Sequence, residues 1–327
     1  MDIALIKDFL GRDWQEVQDT ISSALLSDID LLNSTNASIL SNSGKQLRPL
    51  LSLIVARACS KDGITRSTVN YAAATELLHN ATLLHDDVAD GSAQRRGVPT
   101  IMSLMGPSVS VLVGDYWLVK AMGLIIDSAE NGTEVIRLFS KTLSDLAEGE
   151  MLQLQKAQKG DTSENDYLRI IYSKTASLFE VAAVSAAMSV GAPVEYVAAV
   201  RDYAVALGLA FQIKDDILDY SGTESVGKPL GVDILEQKMT MPLLGALSKV
   251  SAEENQRIRT LVSEIPGHPE YRDDIVEFVR SNGGIEYATS RLDEFVSRAV
   301  SALDVLPESA ERSYLIDLAY FTAIRDK

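Results

Sequence analysis

The sequence predicts an all-α protein, and three observations carry that reading. Aromatic residues make up only 6% of the 327 positions and prolines number nine, while alanine and leucine are abundant, a balance that favours helices over sheets. Apolar residues recur at i, i+3, i+4 and i+7 in segment after segment, and no alternating run of useful length breaks the pattern. Helix-start signals stand in front of several of these segments. There is no low-complexity tract and no obvious linker, so the helices are expected to form one domain spanning residues 1–327. An apolar fraction of 46% is ample for a packed core and excludes disorder.

Taken in order, Asp13–Asn33 places Val17, Ile21, Leu25, Ile29 and Leu32 at helical spacing and reads as one amphipathic helix. Asn33–Gly44 is rich in Ser and Asn and reads as a loop. Lys45–Pro49 (KQLRP) leads into a helix over Leu50–Cys59, with Pro49 suited to a first turn. A helix N-terminus is already positive, so Lys45 and Arg48 do nothing for its dipole. They read equally as an anion site assisted by free N–H groups or as a solvated turn. Asp62-Gly63 is a turn, and Thr65 or Ser67 can cap the next helix, Thr68–Asp90. Gly91–Thr100 is a loop bearing Arg95 and Arg96, followed by helices over Ser108–Ile126 and, after an Asn131-Gly132 turn, Glu134–Lys156. A capping box at Ser163–Asp166 opens a helix over Tyr167–Val190. Gly191 and Pro193 separate it from Val194–Tyr220, a helix roughly 40 Å long. Ser221–Gly231 is a loop carrying Lys228. Met241–Val250 is helical, Ser251–Glu254 forms a capping box, and three more helical segments follow to Lys327.

Charge and cysteine usage narrow the function. A net charge of −16 argues against nucleic acid as a partner and against docking on anionic lipid. A single cysteine, Cys59, excludes a disulfide framework and a cysteine zinc cluster, and reads as a buried small residue. With no signal-peptide pattern at the N-terminus, the expected location is the cytoplasm. The longest weakly polar run, Val181–Val194, is too short and too rich in Ala and Ser to span a bilayer, so no integral membrane protein is expected.

Two stretches concentrate chemistry. Leu83–Asp90 (LLHDDVAD) places Asp86, Asp87 and Asp90 at about 0°, 100° and 40° around a helix, on one face. Ile213–Asp219 (IKDDILD) repeats the spacing with Asp215, Asp216 and Asp219. Clustered carboxylates repel one another, and hard, oxygen-preferring cations offset that cost. One cluster could be a solvated helix end; two matched ones suggest metal ions bridging to a highly anionic group. Cations follow each cluster: Arg95 and Arg96 after the first, Lys228 after the second, with Lys174 in mid-helix among apolar neighbours. Carboxylates, metal, Lys and Arg together clamp diphosphate oxygens, and magnesium suits this better than calcium because it takes few carboxylates plus substrate phosphate. On the first helix His79 falls about 20° from Asp86, while Ala74, Leu78 and Ala81 form an apolar stripe leading away. Such a stripe is ordinarily plain core; beside a diphosphate clamp it also fits the wall of an elongated hydrocarbon tunnel.

The chain resembles the trans-isoprenyl diphosphate synthases, the polyprenyl synthetase family. The resemblance rests on SGKQLRP at Ser43–Pro49, ELLHNATLLHDDVAD at Glu76–Asp90, RRGVPT at Arg95–Thr100 and VLVGDYWL at Val111–Leu118. It continues through KTASLFE at Lys174–Glu180, FQIKDDILD at Phe211–Asp219 and GKPLGVDILEQKMTMP at Gly227–Pro242. It implies a single-domain isoprenoid-synthase helical bundle around a central cavity. The activity implied is head-to-tail condensation of isopentenyl diphosphate with an allylic diphosphate such as farnesyl or geranylgeranyl diphosphate. It further implies a homodimer and magnesium, about three ions per site with substrate bound. Asp86, Asp90 and Asp215 would hold the metal, with Asp87, Asp216 and Asp219 completing the clusters. Arg95, Lys174, Lys228 and Lys238 would meet the allylic diphosphate; Lys45, Arg48, His79 and Arg96 would meet that of isopentenyl diphosphate. Lys174, Thr175 and Gln212 would lie near the reacting carbon. His85 would pack or hydrogen-bond within the cluster. The chain departs from the family pattern at Ser43, Gln46 and Gln237, where Gly, Arg and Gly are usual.

The fifth residue before the first aspartate gates product length in this family. Here it is Ala81, with Leu78 and Ala74 behind it and Trp117, Met122 or Tyr71 as a deeper floor. One helical turn is about 5.4 Å, close to one isoprene unit, so a small gate implies a long product of the octaprenyl class. The alternatives are a geranylgeranyl or farnesyl diphosphate synthase, a class I terpene cyclase, or a non-catalytic subunit. Intact aspartate motifs argue against the last, and Lys45, Arg48 and Arg96 against the cyclase.

Overall fold

The computed structural model describes residues 3–42, 44–95, 97–128, 132–221 and 231–325, and these are helical almost throughout. The helices are α1 (Ile3–Leu10), α2 (Arg12–Ala24), α3 (Asp30–Ser41), α4 (Leu47–Cys59), α5 (Arg66–Ala89), α6 (Ile101–Met105), α7 (Pro107–Ile126), α8 (Gly132–Lys159) and α9 (Glu164–Ile171). They continue with α10 (Ser177–Ser189), α11 (Val194–Ser221), α12 (Val232–Leu235), α13 (Met241–Leu247), α14 (Ala252–Glu264), α15 (Tyr271–Ser281), α16 (Gly284–Ala302) and α17 (Ala310–Ile324). Among the described residues the only strands are β1 (Gln94–Arg95) and β2 (Val98–Pro99), an antiparallel pair in the loop expected over Gly91–Thr100. The chain divides into two units. One holds residues 1–139, 181–200 and 305–315; the other holds 140–180, 201–304 and 316–327.

In the first unit α5 packs along α7, with α2 and α4 against it as well. Apolar residues on every side of α5 explain its position: Tyr71, Ala72, Ala73, Ala74, Leu77 and Leu78 are all fully buried. Its start is a capping box between Thr65 and Thr68, and Thr68 Oγ1 also meets Ser189 Oγ at 2.5 Å. Two buried donors of this unit are satisfied: Tyr71 OH donates to Ser128 O (2.9 Å) and Trp117 Nε1–H to Asn36 Oδ1 (2.8 Å).

The single helix expected over Asp13–Asn33 is two helices. The Asn33 side chain pins the break, accepting from Ser27 N (3.0 Å) and donating to Ser27 O (2.8 Å). The stretch expected as a loop is α3. Ser34 and Thr35 donate back to Leu31 O (2.9 and 2.8 Å), and Asn36 is buried with its amide on Leu25 O (3.0 Å). Polar side chains that compete with a backbone in isolation are here consumed by the helix itself and by Trp117.

In the second unit α13 is buried at every residue and lies on α16. Small residues set this close contact: a Cβ on Gly284 would lie 2.2 Å from Pro242 O, and one on Gly245 would meet the Tyr287 ring. The helix expected over Tyr167–Val190 contains a π-helical turn, Tyr172–Ala176, between α9 and α10. The Ser163–Asp166 capping box forms as expected. Ser251 accepts from Glu254 N (3.2 Å), but the Glu254 carboxylate pairs with Arg257, so that box is only half made. Asn131 and most of the loop over Ser221–Gly231 lie outside the described residues.

By length and composition alone, α7 and α11 could each cross a membrane. Neither is Val181–Val194, the run that looked longest in sequence. The apolar residues of α11 lie largely inside. Those of α7 include an exposed row, Leu112, Val119 and Ile126, repeating every seven residues.

Candidate active site

Each unit carries one aspartate motif at the end of a long helix, and the two are built alike. In the first unit Asp86 is half-buried, Asp90 is exposed at the C-cap of α5, and Asp87 is 4% exposed. Asp87 Oδ1 accepts from Arg95 Nε on β1 at 2.9 Å. Thr100 holds the base of this hairpin by donating to Ser92 O (2.7 Å) and caps α6 by accepting from Ser103 N (3.1 Å). The three carboxylates expected on one face differ in burial: Asp87 is buried against Arg95, a cation that a helical wheel does not contain, while Asp86 is half-buried and Asp90 exposed. His85 Nε2 lies 3.2 Å from Asp115 Oδ1, and its ring fills the space a side chain at Gly114 would need.

His79 is half-buried on α5, and Ala74, Leu78 and Ala81 are buried. Lys45 is exposed and Arg48 half-buried at the start of α4, where Gln46 is the left-handed N-cap (φ 54°). Arg96 and Ser43 lie outside the described residues.

In the second unit the pattern recurs: Asp215 and Asp219 are half-buried and Asp216 is 2% exposed. Asp216 Oδ2 accepts from Tyr167 OH (2.5 Å) and Oδ1 from Gln212 Nε2 (3.0 Å). Gln212 Oε1 in turn accepts from Thr175 Oγ1 (2.8 Å). Thr175 and Gln212, expected together, are thus joined directly, while Lys174 pairs with Glu150 and donates to Gln153 Oε1 (3.2 Å). Both oxygens of Asp219 are engaged by the backbone, Val232 N (3.1 Å) and Asp233 N (3.2 Å), so this carboxylate anchors the entry to α12. Lys238 pairs with Glu236 and approaches Asp233 at 4.0 Å. Gln237 has φ 57°, which accounts for the glycine usual there, and its amide donates to Ser263 O (3.0 Å). Lys228 lies outside the described residues.

The π turn exists because two glycines admit it. A Cβ on Gly208 of α11 would sit 2.5 Å from Ala176 Cα, and one on Gly149 of α8 would sit 2.5 Å from Ser173 Cβ. Single-turn π insertions frequently mark functional sites, and this one carries Lys174 and Thr175. Gly208→Ala is expected to cost about 1–3 kcal/mol, because backbone cannot rotate out of the way. The measurement is chemical denaturation of both proteins, alongside kcat, which should fall with the displaced Thr175.

Burial dominates the electrostatics of the second motif. Burial, reinforced by Asp233, pushes the Asp216 carboxyl well above its usual range. Burial, reinforced by Asp219, raises Asp233 to about 6, and burial raises Asp219 against the pull of its backbone donors. Burial also raises Tyr167, which keeps its proton and donates. An all-oxygen, electron-rich donor set of this kind fits a hard divalent cation. Among the described residues no three such side chains converge as a closed cage. A cation held by one or two carboxylates completes its shell with phosphate oxygens and water.

Sequence reading missed Tyr167, Asp233 and Arg325. Asp233 sits inside a quoted motif but carried no assigned role. Arg325, whose Nη2 donates to Asp215 Oδ1 at 2.7 Å, is 110 residues away in sequence.

The chain is 37% identical over its whole length to the whole length of octaprenyl diphosphate synthase from Escherichia coli (strain K12). It superposes with a TM-score of 0.91 on a decaprenyl diphosphate synthase from Rhodobacter capsulatus, 35% identical with both chains fully covered. A polyprenyl synthase from Caulobacter crescentus CB15, complexed with calcium and isoprenyl diphosphate, gives 0.89 at 32% identity, covering 100% of this chain and 98% of that one. Likeness of this extent, on a helical frame with an aspartate motif in each unit, defines an enzyme of prenyl transfer. The polyprenyl synthetase family model matches residues 29–279, and the chain belongs to that family.

Proposed function

We propose that the chain is a long-chain all-trans polyprenyl diphosphate synthase, extending an allylic diphosphate with isopentenyl diphosphate. The observation that carries this is full-length likeness to the octaprenyl enzyme with both aspartate motifs intact. Asp86, Asp90 and Asp215 are assigned to metal. Asp87 and Asp216, buried and hydrogen-bonded, position their helix ends, and Asp219 does so through α12. Magnesium, about three ions with substrate bound, supplies Lewis-acid polarisation of the leaving diphosphate. Arg95, Lys174, Lys228 and Lys238 spread its remaining charge, and Lys45, Arg48, His79 and Arg96 hold isopentenyl diphosphate. The Thr175 proton is committed to Gln212, so the Thr175 oxygen faces positive charge at the allylic carbon with its lone pairs. The isopentenyl double bond then attacks, and the departing diphosphate takes the proton that is lost.

We assign the exposed row Leu112, Val119 and Ile126 on α7 to contact with a second copy, giving a homodimer, and place the protein in the cytoplasm. Leu112→Glu with Val119→Glu should move the protein to monomer mass in sedimentation equilibrium, with helicity kept.

The test of the function is stoichiometry. With farnesyl diphosphate, labelled isopentenyl diphosphate and Mg2+, one diphosphate should be released per isopentenyl unit incorporated. Diphosphate released without incorporation would establish a cyclase instead.

A further inference from the structure

Arg325 follows the last residue of α17 and is 7% exposed. Its guanidinium lies 3.9 Å from the centre of the Phe211 ring, and its Nη2 donates to Phe211 O (2.9 Å) and to Asp215 Oδ1 (2.7 Å). Its Nε–H is buried and meets no acceptor among the described residues. Arg325 lies outside every motif of the sequence. Yet it holds the leading carboxylate of the second motif, the one whose partner in the first motif, Asp86, is assigned to metal.

A surface ion pair would carry no meaning here. This pair differs in three ways. The arginine is buried, it is stacked on an aromatic face, and it retains a donor with no acceptor. Such a group is fixed in place and has hydrogen-bonding capacity to spare for an anion. Its one carboxylate partner among the described contacts is Asp215, at 2.7 Å.

We propose that Arg325 is a specificity-determining counter-ion: it disfavours a bare divalent cation at Asp215 and favours a cation that arrives with a diphosphate. The reason is elementary. A fixed positive charge against the carboxylate repels an incoming cation and competes for Oδ1. The same charge attracts a metal–diphosphate complex, whose net charge is negative and whose oxygens suit the spare Nε–H. The device keeps the second motif from loading metal ahead of substrate. It rests on the assignment of Asp215 to metal made above.

The experiment measures thermal protection of the full chain by Mg2+ alone, and by Mg2+ with inorganic pyrophosphate, since any ligand of the native state raises the melting temperature. Arg325→Gln should bind Mg2+ alone more tightly, lowering its half-protecting concentration on the order of tenfold. It should at the same time lose most of the extra protection that pyrophosphate gives the wild type. Arg325→Lys, which keeps the charge and loses the fork, should fall between them and serves if the glutamine variant does not fold. Equal Mg2+ midpoints in the wild type and the variant read would overturn the proposal while leaving the functional assignment standing. A wild type that Mg2+ and pyrophosphate together do not protect would overturn both.

Discussion

Asp86→Asn and Asp215→Asn should each lower kcat on the order of 10²–10³-fold, and Asp215→Asn should also cost about 1–3 kcal/mol of stability because it strips the buried Arg325 of its carboxylate. Asparagine keeps the shape of the side chain and removes the charge a metal needs. The loss of one preorganised electrostatic contact to a developing charge is worth this much in other enzymes. Both side chains are half-buried, so neither change opens a cavity in the core. The double variant should lose much less than the product of the two effects, since the proposed function has both groups serve one leaving diphosphate. Asp87→Asn should behave differently from Asp86→Asn. Asp87 is buried and holds Arg95 at 2.9 Å, so the change strips a partner from a cation and should cost about 1–3 kcal/mol of stability as well as rate. Steady-state kinetics beside urea unfolding separates the two classes. Equal behaviour of Asp86→Asn and Asp87→Asn would contradict the division into metal-holding and positioning carboxylates.

Ala81→Tyr should shorten the product by several isoprene units. Ala81, Leu78 and Ala74 are buried along α5, on the helix whose far end carries Asp86 and Asp90. A phenol ring at Ala81 projects about one helical turn below the aspartates, roughly the depth of the first added units. The first condensation should be slowed far less than the later ones. Chromatography of the dephosphorylated products shows this as a shift of the whole distribution. An unchanged distribution would remove Ala81 from the role of gate.

Which parts of this arrangement could be read from sequence follows from where their causes lie. Helix α5 was legible because its own Ala and Leu run determines it, and both aspartate motifs were legible because their spacing is local. The Ser/Asn-rich stretch misled because the partner that settles it, Trp117, lies 81 residues from Asn36. The π turn was invisible since its cause is room left by Gly149 and Gly208 on other helices. The burial of Asp87 and Asp216 depends on Arg95 and Tyr167, which share no helix with them. Arg325 offered no local signal, because its meaning comes only from its contact with Asp215. Residues placed together by the family resemblance, Thr175 and Gln212, are a hydrogen-bonded pair.

Product length is the most direct readout of the proposed function. Wild-type protein incubated to completion with farnesyl diphosphate, excess isopentenyl diphosphate and Mg2+ should give one dominant all-trans product of the octaprenyl class by mass spectrometry, and none when Mg2+ is chelated. A wild-type product that stops at geranylgeranyl diphosphate would contradict it.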